Sequence, residues 1–384
     1  MHILQTPVRF YPDTGGVESY VYELGRRLWN RDHQITVLCA ATSDGRTRET
    51  IEGIDVCRLF SPGRIANTNI TPTLPVELLE YSRKADIIHT HLPTPWSADL
   101  SALAGAATGT PVVVTYHNDI VGDGIFNYVA SLYNATVLGL TLRLADRILL
   151  TREGYADASR HIQPYRDKTV TVQNGVDVER FYPRSNDAQA EQLGFATDRQ
   201  NIFFMSVLDK YHTYKGLDIL LATMERLVES SAGPPHLVIG GDGSHRDHYE
   251  AIVENRALHD YVTFAGYIDK DTLPVAYSAA DAFVLPSTDA SQEGFGLVAL
   301  EALACETPVV TTDIVGIADD IRKQNLGVVV PPEDAHALAK GITTVLERSL
   351  DMGAGRNLCV NEYAWSESVT DLLAIYETVC EESA

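Results

Sequence analysis

The chain has 384 residues, too many for one ordinary core and suited to two domains of about 150–200 residues each. Hydrophobic residues make up 45%, as in a globular protein, yet no apolar run reaches the roughly 18–20 residues that span a bilayer. A formal net charge of −22 disfavours nucleic acid, whose phosphates need clustered Lys and Arg.

The first residues, "MHILQTPVRFYP", have no basic or long apolar stretch of a secretory signal and read as a first strand, so a cytoplasmic protein is expected. The helix "GGVESYVYELGRRLWNRDH" follows, with Val17, Val21, Leu24 and Leu28 at helical spacing. "QITVLCA", "IDVCRLF", "ADIIHTH" and "TPVVVTYHN" are strands, and "PWSADLSALAGAATG" is a helix between the last two. "LADRILLT" and "KTVTVQNGVD" close this half, and a polar, turn-rich stretch over 174–200 reads as an interdomain connection. A second series then runs through the strands "NIFFMSVL", "HLVIGGDG", "YVTFAGYI", "AFVLPS", "TPVVTTD" and "LGVVVPPED", each but "TPVVTTD" followed by a helix. Strands alternating with crossover helices predict parallel sheets covered on both faces. The expected domains are 1–175 and 176–362, with a helix over 363–384 that crosses back to the first. Ligands are expected at the carboxyl ends of the strands, in a cleft between the domains. The five cysteines (Cys39, Cys57, Cys305, Cys359, Cys380) form no C-x-x-C pair and read as buried thiols.

The densest chemistry lies in "EGFGLVALEALACETPVV". Gly294 and Gly296 let a ligand approach the backbone. The N–H groups near Phe295, Gly296, Leu297 and Val298 open a helix and suit an anion such as phosphate. Glu293 would repel a phosphate and is suited to neutral hydroxyls, as is Glu301 one to two turns into the helix. Glu301 sits in an otherwise apolar "LVALEALA", where a carboxylate without a partner would be costly. A molecule with phosphates in the middle and polyols at both ends, a nucleoside diphosphate sugar, meets these demands. In the first half, Gly15 and Gly16 open a helix after a strand, but "TGGVES" is not G-x-G-x-x-G, which disfavours a nicotinamide dinucleotide.

The sequence resembles the retaining glycosyltransferases of family GT4, which have the GT-B fold of two doubly wound Rossmann-like domains facing across a cleft. The resemblance rests on the two glutamates eight residues apart, and on "GGVESYVYELGRRL", "TYHND", "NGVD", "YKGLDILL", "GDG" and "FAGYI" in order. It implies that Glu293 contacts hydroxyls of the donor sugar and Glu301 the ribose. It implies that the backbone from Gly294 to Val298 meets sugar and diphosphate, and that Lys215 pairs with the diphosphate. It further implies that Gly266, Tyr267 and Ile268 face the nucleobase, that Gly15 and Gly16 touch the donor phosphate, and that His117 contacts the donor sugar. The family's usual arginine before the lysine is missing from "MSVLDKYHTYKG"; Lys210 or His212 are the replacements, Lys210 preferred. His91, with Asn118 and Asp119, is expected at the cleft or acceptor side; His89, His91 and His117 together are also a conceivable zinc set. No metal or other cofactor is expected, since in this family the leaving phosphate takes the proton of the attacking hydroxyl. The scarcity of lysine, 7 against 23 arginines, together with the acidic excess, resembles proteins of halophilic archaea.

The apolar, aromatic stretch 125–150 overlaps a basic run of Arg143, Arg147, Arg152, Arg160, Arg166 and Lys168, against four acids from 143 to 168. Peripheral docking on an anionic membrane and a plain core helix are the two readings. The expected partners are a nucleotide sugar and a glycan or lipid-linked acceptor. The rival functions are a nucleotide-sugar 2-epimerase and a non-catalytic nucleotide-sugar binder. Base, sugar, acceptor, linkage and oligomeric state leave no trace in the sequence.

Overall fold

The computed structural model describes the chain except for residues 14, 42–44, 66–67, 121–124, 152–154, 232, 291 and 384, and the side chains of 125, 126 and 158. Arg152 of the basic run therefore lies outside the described residues. The chain divides into two compact units, Met1–Gln173 with Trp365–Ala384, and Asn174–Ala364.

The first unit holds strands β1 (His2–Thr6), β2 (Gln34–Ala40), β3 (Thr47–Ile51), β4 (Ile54–Leu59), β5 (Gly63–Ile65), β6 (Thr68–Ile70), β7 (Ile87–Leu92), β8 (Val112–Tyr116), β9 (Arg147–Leu150) and β10 (Thr169–Thr171). Eight of them form one sheet in the order β10-β9-β8-β7-β1-β2-β4-β3, while β5 and β6 pair as a separate ribbon. The large sheet is parallel except that β3 runs antiparallel to β4 at its edge. The Val- and Ile-rich strands β7 and β8 are buried along their whole length, as a parallel sheet covered on both faces requires.

The C-terminal helix Trp365–Ser383 presents Trp365, Val369, Leu372, Tyr376 and Val379 at alternating steps of four and three residues. That stripe packs with Tyr20, Val21, Leu24 and Leu28 of the helix Gly16–Trp29, so the last helix completes the core of the first unit.

The second unit holds β11 (Asn201–Met205), β12 (His236–Gly240), β13 (Val262–Gly266), β14 (Ala282–Leu285), β15 (Val309–Thr312) and β16 (Gly327–Val330). They form an all-parallel sheet in the order β13-β12-β11-β14-β15-β16. This order reverses between β11 and β14, the dinucleotide-fold switch at which connections diverge and leave a crevice beyond the strand ends. The polar stretch over 174–200 is not a free connection. Val176 pairs with Ala364, and Val176, Phe181, Ala190 and Phe195 are buried in the core of this unit. Their apolar side chains stand singly among polar ones, so no periodicity announced them.

The helix Ile125–Leu144 resolves the two readings of its sequence into two faces. Ala130, Leu138 and Leu142 are buried, and Asp99 accepts hydrogen bonds from Tyr133 at 2.7 Å and Thr141 at 2.6 Å. The opposite face exposes Tyr128 (79%), Leu132 (66%), Val129 and Leu140. The basic run near it is largely spoken for. Arg147 pairs with Glu382, Arg166 with Asp157, and Lys168 donates to the carbonyls of Arg143 and Ala145.

Candidate active site

In the second unit the chain leaves β11 through Ser206–Gly216 and β14 through Pro286–Gly296, on the two sides of the switch point. The two loops are tied where the Thr288 N–H donates to the Tyr214 carbonyl at 2.8 Å. Gly216 has φ 78°, and a Cβ there would stand 2.0 Å from the Pro286 carbonyl oxygen. Only glycine fits, which is why a glycine follows Lys215 and why that lysine is pressed against the β14 loop.

Lys215 Nζ lies 3.0 and 2.8 Å from the two oxygens of Glu293, and Ser287 Oγ also donates to Glu293 Oε2. The pair is withdrawn from water, with side-chain exposures of 16% and 3%. Burial pulls the Lys215 ammonium down, but the charge of Glu293 and the neighbouring Tyr214 outweigh it, and the net direction is up. Lys215 therefore stays a cation inside the crevice. Two of the predicted site residues thus meet directly, and Ser287 joins them although nothing in the sequence marked it.

Beyond Glu293 and Gly294, Phe295 is buried against Tyr363, with ring centroids 5.3 Å apart. Gly296 takes φ 86° and starts the helix Leu297–Ala304, which has no side-chain N-cap. A Cβ on Gly296 would fall 2.5 Å from Val315 Cγ1. The helix opening is thus bare of any capping side chain, as an anion-binding start needs. Glu301 accepts a hydrogen bond at 2.7 Å from Tyr277, whose ring is fully buried on the helix Leu273–Ser278. Burial, with the Glu301 charge beside it, pushes the Tyr277 phenol well above its ordinary value, so it remains a donor.

Other predicted residues fall elsewhere. Lys210 is exposed, its ammonium 4.9 Å from the centroid of the Tyr211 ring. His212 is tied to Asp209 at 2.7 Å. The glycines of "GDG" are needed by packing, since a Cβ on Gly241 or Gly243 would collide with the carbonyls of Ser206 or Leu208. The Gly266 carbonyl already accepts the Gly241 N–H at 2.7 Å, and Ile268 is buried, which leaves Tyr267, 67% exposed, as the open residue of that loop. The expectation that all three residues face a base is narrowed to Tyr267.

In the first unit the order reverses between β1 and β7, where Gln5 stands opposite His89. Arg58, itself buried, holds the loop after β1 by donating to the carbonyls of Phe10 and Tyr11. Gly15 caps the helix Gly16–Trp29 in an extended conformation, and a Cβ on it would stand 2.3 Å from Glu18 Oε2. The carboxylate at this helix start is the chain's own, paired with Arg9 at 3.1 Å, whereas nothing stands within 4 Å of a Cβ on Gly16. The phosphate contact expected of Gly15 therefore meets a carboxylate instead.

His91 is fully buried, so it does not line an open surface as expected. It hydrogen-bonds Gln5 at 2.9 Å and the half-buried His117 at 3.4 Å. Burial holds His117 down at about 4. His89, by burial and then by the nearby His117, is held at about 3, and His91 also lies well below the ordinary histidine value. All three are neutral at physiological pH. Asp119 accepts from Tyr116 at 2.8 Å and Ser159 at 2.7 Å, and so knots the loop after β8 rather than facing outward; Asn118 beside it is half-buried. Among the described residues no three His, Cys, Asp or Glu side chains are grouped to hold a metal.

Two family models match the chain. Residues 14–180 match the glycosyltransferase family 4 model, and residues 185–357 match the model of glycosyl transferases group 1. The chain belongs to the family 4 glycosyltransferases. A phosphatidyl-myo-inositol mannosyltransferase of Mycobacterium tuberculosis is 27% identical over 377 residues, covering 95% of this chain and 93% of the relative. A D-inositol 3-phosphate glycosyltransferase of Geodermatophilus obscurus is 27% identical over 410 residues, covering 97% and 86%. This glycosyltransferase shares its fold with a sucrose-phosphate synthase of Thermosynechococcus elongatus, at a TM-score of 0.75, 24% identity and 98% coverage of both chains. WaaG, a glycosyltransferase of lipopolysaccharide biosynthesis, superposes at 0.71 with 18% identity, covering 96% of this chain and 98% of the other. The GT-B architecture read from the sequence is the one the chain adopts.

Proposed function

We propose that this glycosyltransferase moves a sugar, with retention of configuration, from a nucleoside diphosphate sugar to the hydroxyl of a glycan or lipid-linked acceptor. The observation that carries the reading is the buried Lys215–Glu293 pair at the switch point, next to a helix that begins uncapped at Gly296. A cation and a bare helix start suit a diphosphate; a carboxylate held beside them suits sugar hydroxyls. On this reading Lys215 turns from Glu293 toward the leaving phosphate, Glu293 accepts from the donor sugar, and Glu301, oriented by Tyr277, accepts from the ribose. The backbone at Gly294, Leu297 and Val298 meets the diphosphate, and Tyr267 lies beside the base. The acceptor oxygen bonds to the anomeric carbon as the bond to the phosphate oxygen breaks, and the hydroxyl proton passes to that phosphate, so no protein nucleophile or metal is required. Related folds support a nucleotide donor: one Anabaena protein is described in complex with UDP and glucose, and a starch synthase of Arabidopsis thaliana bound to ADP and acarbose. The relatives named for inositol substrates support a polyol or lipid-headgroup acceptor.

The exposed apolar face of the helix Ile125–Leu144 supports peripheral contact with a membrane from the cytoplasmic side, which would bring a lipid-linked acceptor within reach. Among the described residues no helix is long and apolar enough to cross a membrane.

A donor screen tests the reading. The protein in molar KCl is given UDP-, GDP- and ADP-sugars, with and without lipid extract, and release of nucleoside diphosphate is followed. Release from one donor that is lost in Glu293→Ala and Lys215→Ala supports the transfer. Epimerised free donor would make the protein an isomerase, and tight binding without release a binder. Vesicle pelleting that is equal for the wild type and Leu132→Ser would remove the membrane contact.

A further inference from the structure

The cation at the switch point of the second unit already has a partner. Lys215 Nζ lies 3.0 and 2.8 Å from Glu293 Oε1 and Oε2, and the Tyr214 ring stands beside it with its centroid 5.1 Å away. An ammonium has three N–H donors, and two of these end on one carboxylate. A diphosphate that draws Lys215 to itself must therefore take it from Glu293.

The two partners are not equally free to move. Fully buried Ser287 donates from Oγ to Glu293 Oε2. The Ser287 carbonyl accepts from Thr312 Oγ1 at 2.7 Å, and the Leu285 carbonyl accepts from Thr311 Oγ1 at 2.9 Å, so the end of β15 pins the strand exit that carries Ser287. The Glu293 N–H donates to the Asp289 carbonyl at 2.9 Å. Lys215 instead carries its charge on a flexible four-carbon stem at the end of the short turn Thr213–Lys215. When the pair opens, the ammonium swings and the carboxylate stays.

What Glu293 then keeps depends on the ligand. An intact sugar nucleotide brings hydroxyls that donate to the carboxylate in place of the ammonium. A nucleoside diphosphate alone brings only more negative charge. Glu293 is left with the bond from Ser287, at 3% exposure, too little for water to stand in for the lysine. A buried carboxylate stripped of its cation is strongly disfavoured, and the like charge of the phosphates adds to the penalty.

We propose that Glu293 and the diphosphate compete for Lys215, so that the pair discriminates against the free nucleoside diphosphate. The intact donor relieves the competition through its sugar hydroxyls. Once the sugar has left, Lys215 returns to Glu293 and the diphosphate is released. Ser287 is a positioning residue: it holds the carboxylate in place while the cation changes partners. The identity of the ligand rests on the proposed function; the competition rests on the pair.

Calorimetry on the full-length protein, with UDP, GDP and ADP and no acceptor, reads the competition directly. Glu293→Gln is nearly isosteric and frees Lys215, so the diphosphate that binds is expected to do so at least about tenfold more tightly than to the wild type. Ser287→Ala changes no charge but removes the one bond left to the stranded carboxylate, so the same diphosphate is expected to bind roughly threefold or more weakly. Loss of local structure would not shift one affinity in opposite directions at two touching residues. A diphosphate affinity unchanged or lowered in Glu293→Gln would overturn the proposal. Should that variant fail to fold, an affinity unchanged or raised in Ser287→Ala would overturn it alone. If neither the wild type nor Glu293→Gln binds any of the three diphosphates, the nucleotide reading falls and the proposal with it, a result distinct from a diphosphate that binds all three proteins alike, which sinks the competition only.

Discussion

Acid should weaken the first unit through its histidines, by an amount that can be worked out. An ordinary histidine titrates near 6.5, whereas burial, aided for His89 by the nearby His117, holds it at about 3, and burial holds His117 at about 4. Below pH 6.5 the unfolded chain takes up protons that the folded unit refuses. Stability rises with pH wherever the unfolded state binds more protons, so this contribution is fully present above pH 6.5 and is lost as the pH falls toward the folded values. At pH 5 each group has cost about 1.5 units at 1.36 kcal/mol, or about 2 kcal/mol. His89 and His117 together reach about 4 kcal/mol, a large share of the roughly 5–15 kcal/mol that holds a domain together. His91, shifted in the same direction, adds to the loss. The three tryptophans, Trp29, Trp96 and Trp365, all lie in the first unit, so their fluorescence during urea unfolding reports that unit alone. Carboxylates also contribute to acid lability, so the decisive quantity is a difference between two proteins. Between pH 7.5 and 5.0, His117→Asn should lose up to about 2 kcal/mol less than the wild type. Equal losses in the two proteins would refute the reasoning, because they would mean that His117 titrates alike folded and unfolded.

Three further outcomes are expected in the second unit. Lys215→Met strands a buried carboxylate and should cost about 3–5 kcal/mol in unfolding followed by far-ultraviolet ellipticity, and adding Glu293→Gln should recover most of it; additive losses would contradict the pairing. Gly296→Ala imposes a φ of 86° on a side chain that would collide with Val315, so about 1–3 kcal/mol of stability and much of the nucleotide affinity measured by calorimetry should be lost. Tyr277→Phe removes the 2.7 Å bond to Glu301 and should cost about 1–2 kcal/mol while raising KM for the donor more than it lowers kcat.

What could be read from the sequence was local. The glycine-flanked turn and the carboxylate in an apolar helix announced themselves within a few residues, because backbone geometry and burial act on neighbours in the chain, whereas the lysine before a glycine was marked only by the family resemblance. The two sheets followed from alternating periodicities for the same reason. Their partners were not legible. Glu293 meets Lys215 across 78 residues, and Tyr277 reaches Glu301 from another helix. Tyr376 touches His89 across 287 residues, a contact fixed by the docking of the last helix and by no local pattern. The polar stretch over 174–200 misled for a related reason: Phe181 and Phe195 are single anchors in a core assembled from distant elements. Conversely "GDG" stood only among the motifs of the family resemblance, and its glycines answer to the Ser206 and Leu208 carbonyls packed against them.

The central claim is retaining transfer from a nucleotide sugar, supported on Glu293. The most direct measurement takes the donor found to turn over and determines by NMR the anomeric configuration of the product bond, for the wild type and Glu293→Gln. The account predicts a new glycosidic bond with the configuration of the donor, formed at least about a hundredfold more slowly by the variant, as for loss of a group aimed at the transition state. An inverted linkage, or a variant as fast as the wild type, would contradict it.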